Sequence, residues 1–146
     1  MEKIIDAIPT EDIIKELTEE RFVRKTNFGH NEIYVVNAHN APNTMREIGR
    51  LREWAFRESG GGTGKSIDID EFDTRDEAYF EQLIVWDPIE KEILGGYRFI
   101  DCSKLPLKNN GQVDTPTSEL FYYSEDFIKD YLPYTIELGR SFIQPK

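Results

Sequence analysis

Charged residues placed inside apolar strands constrain this chain more than any other feature. Thr135-Ile136-Glu137-Leu138-Gly139-Arg140-Ser141-Phe142-Ile143 reads as an apolar strand carrying two charges, and Leu94-Gly95-Gly96-Tyr97-Arg98-Phe99-Ile100 as another carrying one. A charge at a strand centre is costly unless it is paired. Arg98, Glu137 and Arg140 are therefore expected to pair with one another and with the acids of the 68–73 stretch. On strict alternation, Glu137 and Gly139 share one face of the last strand, and Leu138 and Arg140 share the other. A salt-bridged sheet face explains any one of these residues; the set asks for more.

The remaining elements can be read from local signals. Residues 10–19 read as a short helix with Ile13, Ile14 and Leu17 on one side. Glu32 to Val36 reads as a strand. Thr44-Met45-Arg46-Glu47 has the capping-box pattern of a helix start, and the helix is expected to run to Glu58, with Met45, Ile48, Leu51 and Ala55 on one stripe and Gly60-Gly61-Gly62 ending it. Asp68 to Glu77 reads as an acidic loop. Tyr79–Trp86 and Glu92–Ile100 read as a hairpin joined through Asp87-Pro88. Residues 101–118 read as loop, 119–123 as a short extended piece, and Ser124 as the cap of a helical turn stopped by Pro133. The order predicts an α/β (α+β) chain with a mixed, mainly antiparallel sheet and flanking helices.

The 146 residues, 38% apolar, suffice for one domain with a core. No apolar run is long enough for a spanning helix, and Met1-Glu2-Lys3-Ile4-Ile5-Asp6 lacks a signal-peptide pattern, which predicts a cytoplasmic protein. The single Cys102 cannot form an internal disulfide, and reads as a small buried residue. The net charge of −10 argues against a nucleic-acid partner.

Three local patterns fail on their own chemistry. Ser59-Gly60-Gly61-Gly62-Thr63-Gly64-Lys65-Ser66 approaches a P-loop, but Ser59 stands where the first glycine belongs and a helix precedes it, which leaves a mobile glycine loop. Asp68-Ile69-Asp70-Glu71-Phe72-Asp73 puts Phe72 where calcium needs an oxygen ligand, and lacks the glycine that should come next. His30 and His39 belong to no spaced ligand set, so no metal is expected.

Four blocks in order carry a family resemblance: Leu51-Arg52-Glu53-Trp54-Ala55-Phe56, Asp70-Glu71-Phe72-Asp73, Gly96-Tyr97-Arg98-Phe99 and Glu137-Leu138-Gly139-Arg140-Ser141-Phe142, with Phe121-Tyr122-Tyr123-Ser124 between the last two. The chain resembles the acyl-homoserine-lactone synthases and, more closely, the N-acyltransferases that make ornithine and glycine lipids. Some of these relatives carry the label hemolysin, although nothing here encodes a membrane-active segment. The resemblance covers residues 45–146, with 1–44 as an N-terminal extension, and implies the N-terminal half of a GNAT fold: a sheet that splays to admit an acyl-phosphopantetheine arm. It further implies that Arg52 and Phe56 shape the donor and acceptor site, that Asp70 and Asp73 hold the region through ion pairs, and that Arg98, Glu137 and Arg140 form the candidate catalytic set.

The implied reaction moves a fatty acyl group from acyl carrier protein, or CoA, to the amine of a small acceptor such as an amino acid, with no tightly bound cofactor. Glu137 is the candidate general base, directly or through water, with a role as acceptor-amine or ion-pair partner as its alternative. Arg98 and Arg140 are expected to pair with Asp70, Asp73 or Glu137. Arg46, Arg50 and Arg57 share one helix face that could dock an acidic carrier protein, or simply be solvated. The last strand has no covering element after it, so a truncated and inactive half-domain is expected, with an edge open to a second copy. Peripheral membrane association of the complete protein belongs to the same reading. The rival readings are a non-catalytic binding or regulatory module on a half-GNAT sheet and an acetyl-CoA-dependent acetyltransferase.

Overall fold

The computed structural model describes residues Met1–Lys146. Helix α1 (Thr10–Glu16) is followed by a 3₁₀ turn (Glu19–Arg21), strands β1 (Phe22–Lys25) and β2 (Glu32–Val36), and the long helix α2 (Pro42–Glu58). Then come the one-turn helix α3 (Glu71–Thr74), β3 (Glu81–Asp87), β4 (Glu92–Asp101), a 3₁₀ turn (Cys102–Lys104), α4 (Pro116–Leu120), α5 (Glu125–Asp130), a 3₁₀ turn (Leu132–Tyr134) and β5 (Ile136–Ile143). The strands form one sheet in the order β1-β2-β3-β4-β5, antiparallel at every pairing. The expected flanked sheet is present, and residues 1–44 supply two of its five strands.

Helix α2 covers one face of the sheet because its apolar residues recur at helical spacing. Met45, Ile48 and Leu51 are buried against Tyr34 and Val36 of β2, Ile84 and Trp86 of β3, Ile93 of β4 and Phe142 of β5. Full burial of each such side chain contributes roughly 1.5–3 kcal/mol. A second apolar cluster lies under the long 101–134 connection: Phe72, Phe80, Ile100, Cys102, Leu105, Val113 and Leu132. Cys102 is the small buried residue expected, and burial pushes its thiol pKa up. Gly96 is required by closeness, since a Cβ there would lie 2.3 Å from the Leu83 carbonyl oxygen of β3.

The start of α2 differs from its expected capping box. Ala41 takes the N-cap and Pro42 the first turn, so the helix begins ahead of Thr44. The free N–H groups are capped from another element. Glu16 at the end of α1 accepts the N–H and hydroxyl of Thr44, at 2.6 and 2.8 Å, and the Asn43 N–H at 3.1 Å. Glu47 instead accepts the Ile8 N–H at 3.0 Å and pairs with Arg50.

Two further local expectations shift, and one strand was not expected. Asp70 caps a helical turn inside the acidic 68–77 stretch. Thr115 and Ser118 form a reciprocal capping box with Pro116 in the first turn, so 116–120 is helical and the extended piece begins only at Phe121. Strand β1 pairs with β2 although Phe22-Val23-Arg24-Lys25 shows no clean alternation. Ser124 does cap α5, accepting the Phe127 N–H at 3.1 Å.

Candidate active site

The site is made by a break in β5. Arg98 of β4 faces Gly139 and Gly96 faces Phe142, so Arg140 and Ser141 together oppose Tyr97. This two-against-one bulge turns Arg140 into the left-handed region at φ +53°. Strict alternation would have sent Arg140 outward with Leu138. The bulge instead carries its side chain to Asp68 and Asp70, at 3.0 and 3.5 Å, while Leu138 stays exposed.

Beneath the bulge lies a network of three arginines and three aspartates. Arg52, fully buried on α2, donates to Asp73 at 3.1 Å and to the Gln82 side-chain oxygen. Gln82, inward on β3, returns its amide to Asp73 at 2.8 Å. Arg98 reaches Asp70 at 2.7 Å and Asp73 at 3.2 Å, with its guanidinium carbon 5.0 Å from the centre of the Phe80 ring. Asp70 and Asp73 are themselves locked by the α3 capping box: Asp70 accepts the N–H groups of Phe72 and Asp73, and Asp73 accepts that of Asp70. Burial works against ionisation of Asp70, but the Arg98 hydrogen bond and charge, with Arg140 beside it, hold its carboxyl below the usual range. For Asp68 the balance reverses: burial pushes the pKa up more than Arg140 and Arg52 pull it down.

Glu137 stands apart from these pairs. It faces Ile100 across the sheet, which places it over the second cluster, where the Thr115 hydroxyl donates to its Oε1 at 2.8 Å. The expected ion pairing therefore joins Arg98 and Arg140 to the aspartates and leaves Glu137 on Thr115.

The glycine loop is pinned, not mobile. Buried Glu53 on α2 accepts the Thr63 N–H and hydroxyl at 2.9 and 2.7 Å, the Gly64 N–H at 2.9 Å and Arg57 Nε at 2.7 Å. Burial alone would raise the Glu53 pKa, but these hydrogen bonds, those of Thr63 foremost, outweigh it and hold the carboxyl at about 2. Gly62, at φ +93°, leaves no room for a side chain between Arg57 and Glu53. Arg57 also binds the Glu2 and Lys65 carbonyls, and Arg50 is held by Glu47 and sits over Trp54. Of the expected docking face, Arg46 remains exposed, while Arg50 and Arg57 are committed within the chain.

Between the end of α2, the glycine loop and the bulge runs an open cleft. Two adjoining hollows of about 400 and 390 Å³ share Phe56 and Ser59; one reaches Ser141 and Phe142, the other Gly61, Gly62, Thr63, Asp68 and Arg140. Among the residues expected at the site, Arg52, Asp70, Asp73, Arg98 and Arg140 meet in one network, and Phe56 joins Arg140 at the cleft. Gln82 and Glu53 were not foreseen, and Asp68 was expected only as one of the acids of the 68–73 stretch. The alternation of β3 marks Gln82 as inward, and Glu53 lies four residues before Arg57. Which arginine Asp68 meets has no such signal, because that depends on the bulge.

A helix-backed antiparallel sheet with a bulged edge strand beside an open cleft is the first half of a GNAT-type acyltransferase fold. Residues 51–146 match the Acetyltransferase (GNAT) domain family, and the chain belongs to it. Similar curated proteins include the glycine N(alpha)-acyltransferase of Bacteroides thetaiotaomicron, 54% identical over 143 residues, covering 98% of this chain and 42% of that protein. The glycine N(alpha)-acyltransferase of Phocaeicola vulgatus is 51% identical over 143 residues, with 98% and 44% covered. The chain thus spans well under half the length of these relatives. No solved structure matches it. No helix is long and apolar enough to cross a membrane.

Proposed function

We propose that this chain is the first part of an N-acyltransferase that moves a fatty acyl group from acyl carrier protein to the amine of an amino acid, with glycine, named for its relatives, as the first acceptor to test. The observation that carries the reading is the cleft at the β5 bulge, where Phe56, Asp68 and Arg140 converge. In this reaction the amine attacks the thioester carbonyl, the C–N bond forms, the C–S bond breaks, and the thiolate leaves with a proton. No covalent enzyme intermediate is needed. A bulge leaves a strand residue outside the regular ladder, which offers a backbone N–H to the developing oxyanion.

Roles follow from position. Arg52, Arg98, Asp70 and Asp73 hold the floor of the cleft as a neutral network, and Arg140 is its exposed member. Glu137, fixed by Thr115 and three residues from Arg140 along β5, is the proposed proton acceptor, acting through water. Arg46 is the proposed contact for an acidic carrier protein. The activity is that of the longer protein; the 146 residues alone are expected to be inactive.

The test is acyl transfer by the full-length protein with acyl carrier protein, acyl-CoA and acetyl-CoA donors, and with glycine, serine and ornithine acceptors. A preference for acetyl-CoA would replace the fatty-acyl reading with that of an acetyltransferase. Glu137→Gln is expected to lower kcat at least a hundredfold with donor KM kept, and an unchanged kcat removes Glu137 as base.

A further inference from the structure

Arg140 and Asp68 are paired without a hydrogen bond, unlike Arg52 with Asp73 or Arg98 with Asp70, although the Nε atoms of Arg52 and Arg98 are also unpartnered. Arg52 and Arg98 each place an Nη hydrogen on a carboxylate, and Asp70 and Asp73 accept several hydrogen bonds. Arg140 Nε lies 3.0 Å from Asp68 Oδ2, yet the two are misaligned, and neither atom has a hydrogen-bond partner. Buried polar atoms seldom go unpartnered without a reason. The Asp68 side chain is only 3% exposed and the Arg140 side chain 36%, and both residues line the cleft. Asp68 and Arg140 therefore sit side by side at the cleft with no hydrogen bond joining them, although the two facing atoms are themselves covered.

Charge balance narrows what such a pair can receive. Three aspartates offset three arginines, so the floor as a whole selects for neither an anion nor a cation. A molecule carrying both charges can lie antiparallel to the pair, each end against its opposite. The wall above is Gly61, Gly62 and Thr63 with Phe56 behind, around a hollow of about 390 Å³ that admits a small molecule.

Resting on the acyl-transfer reading above, we propose that Asp68 and Arg140 are the acceptor-binding pair, Asp68 taking the amine and Arg140 the carboxylate of a small zwitterionic α-amino acid. The buried Asp68 carboxylate then gains the counter-charge that Arg140 supplies incompletely. The pair defines the acceptor as a free amino acid, and excludes simple amines and amino-acid amides.

The full-length protein tests this with glycine against glycinamide, which keeps the amine and lacks the carboxylate. Wild-type kcat/KM is expected to fall at least tenfold for glycinamide, a comparison that needs no substitution. Asp68→Asn is expected to raise the glycine KM at least tenfold with the thioester KM within twofold, and Arg140→Gln to abolish the preference for glycine over glycinamide. Glycine binding, followed by NMR titration of the wild type and Asp68→Asn, separates the two readings. Binding that weakens tenfold in Asp68→Asn supports the inference even if no amine is acylated, a result that would remove the proposed function alone. Acylation of glycine with an unchanged KM in Asp68→Asn, or equal rates with glycinamide, overturns the inference alone. A protein that neither binds nor acylates glycine overturns both.

Discussion

Glu53→Gln removes the anchor of the glycine wall, and its cost can be worked from the structure. Oε1 accepts Arg57 Nε and the Gly64 N–H, and Oε2 accepts the N–H and hydroxyl of Thr63. An amide keeps one oxygen and points its NH₂ at two donors. In the cheaper orientation the Thr63 hydroxyl turns round to accept, but the Thr63 N–H is left facing a donor and the Arg57 ion pair is lost. A hydrogen bond to a charged group contributes about 1.5–3 kcal/mol and a buried orphan costs about 1–3 kcal/mol, so the loss is on the order of 3 kcal/mol. Linkage gives the same size: a carboxyl held at about 2 instead of 4.5 contributes on the order of 3 kcal/mol.

Because the folded pKa is the lower one, that contribution is complete above the unfolded value of 4.5 and disappears as pH falls toward about 2. Glu53→Gln is thus expected to lower Tm at pH 7 by about 6–12 °C, with the difference from wild type shrinking by roughly half at pH 3. Circular dichroism melts measure both values, and hydrogen exchange at the Thr63 and Gly64 amides reports the loop directly. Glu58→Gln, the same charge change at an exposed position on α2, is the control, expected within about 0.5 kcal/mol of wild type. A Tm for Glu53→Gln equal to that of the control, with both amides still protected, would refute the reasoning.

Other substitutions probe separate parts of the structure. Glu16→Ala strips the cap that α1 lends to α2 and is expected to cost about 1–2 kcal/mol in urea denaturation. Arg52→Met leaves Asp73 buried without its main partner and is expected to cost about 3–5 kcal/mol, whereas Arg52→Met with Asp73→Leu should recover part of that loss. In the full-length enzyme, Arg46→Glu is expected to raise KM several-fold for acyl carrier protein but not for acyl-CoA, and equal effects on the two donors would remove carrier docking at α2.

Much of the fold follows from residues acting locally. The stripe Met45, Ile48 and Leu51 sets the buried face of α2, and the β-branched and aromatic runs of β2, β3 and β4 set the sheet. These patterns work because helix and strand periodicities are fixed by the backbone alone. Strand charges also announced that Arg98 and Arg140 needed acids; Arg98 found Asp70 and Asp73, and Arg140 found Asp68 and Asp70. Other features required partners distant in the chain. Glu16 caps a helix 27 residues later, and no local pattern could compete with Pro42 for the start of α2. Glu137, although in the same short block as Arg140, goes to Thr115 because its register partner is Ile100.

The bulge decided the site itself. Residue patterns alone dictate a helix-flanked, mainly antiparallel sheet with strand arginines that must be neutralised. Only the tertiary structure put Arg140 beside Asp68 at the cleft, because one extra residue in β5 reverses the direction of a side chain, and that insertion shows only when β5 is paired with β4.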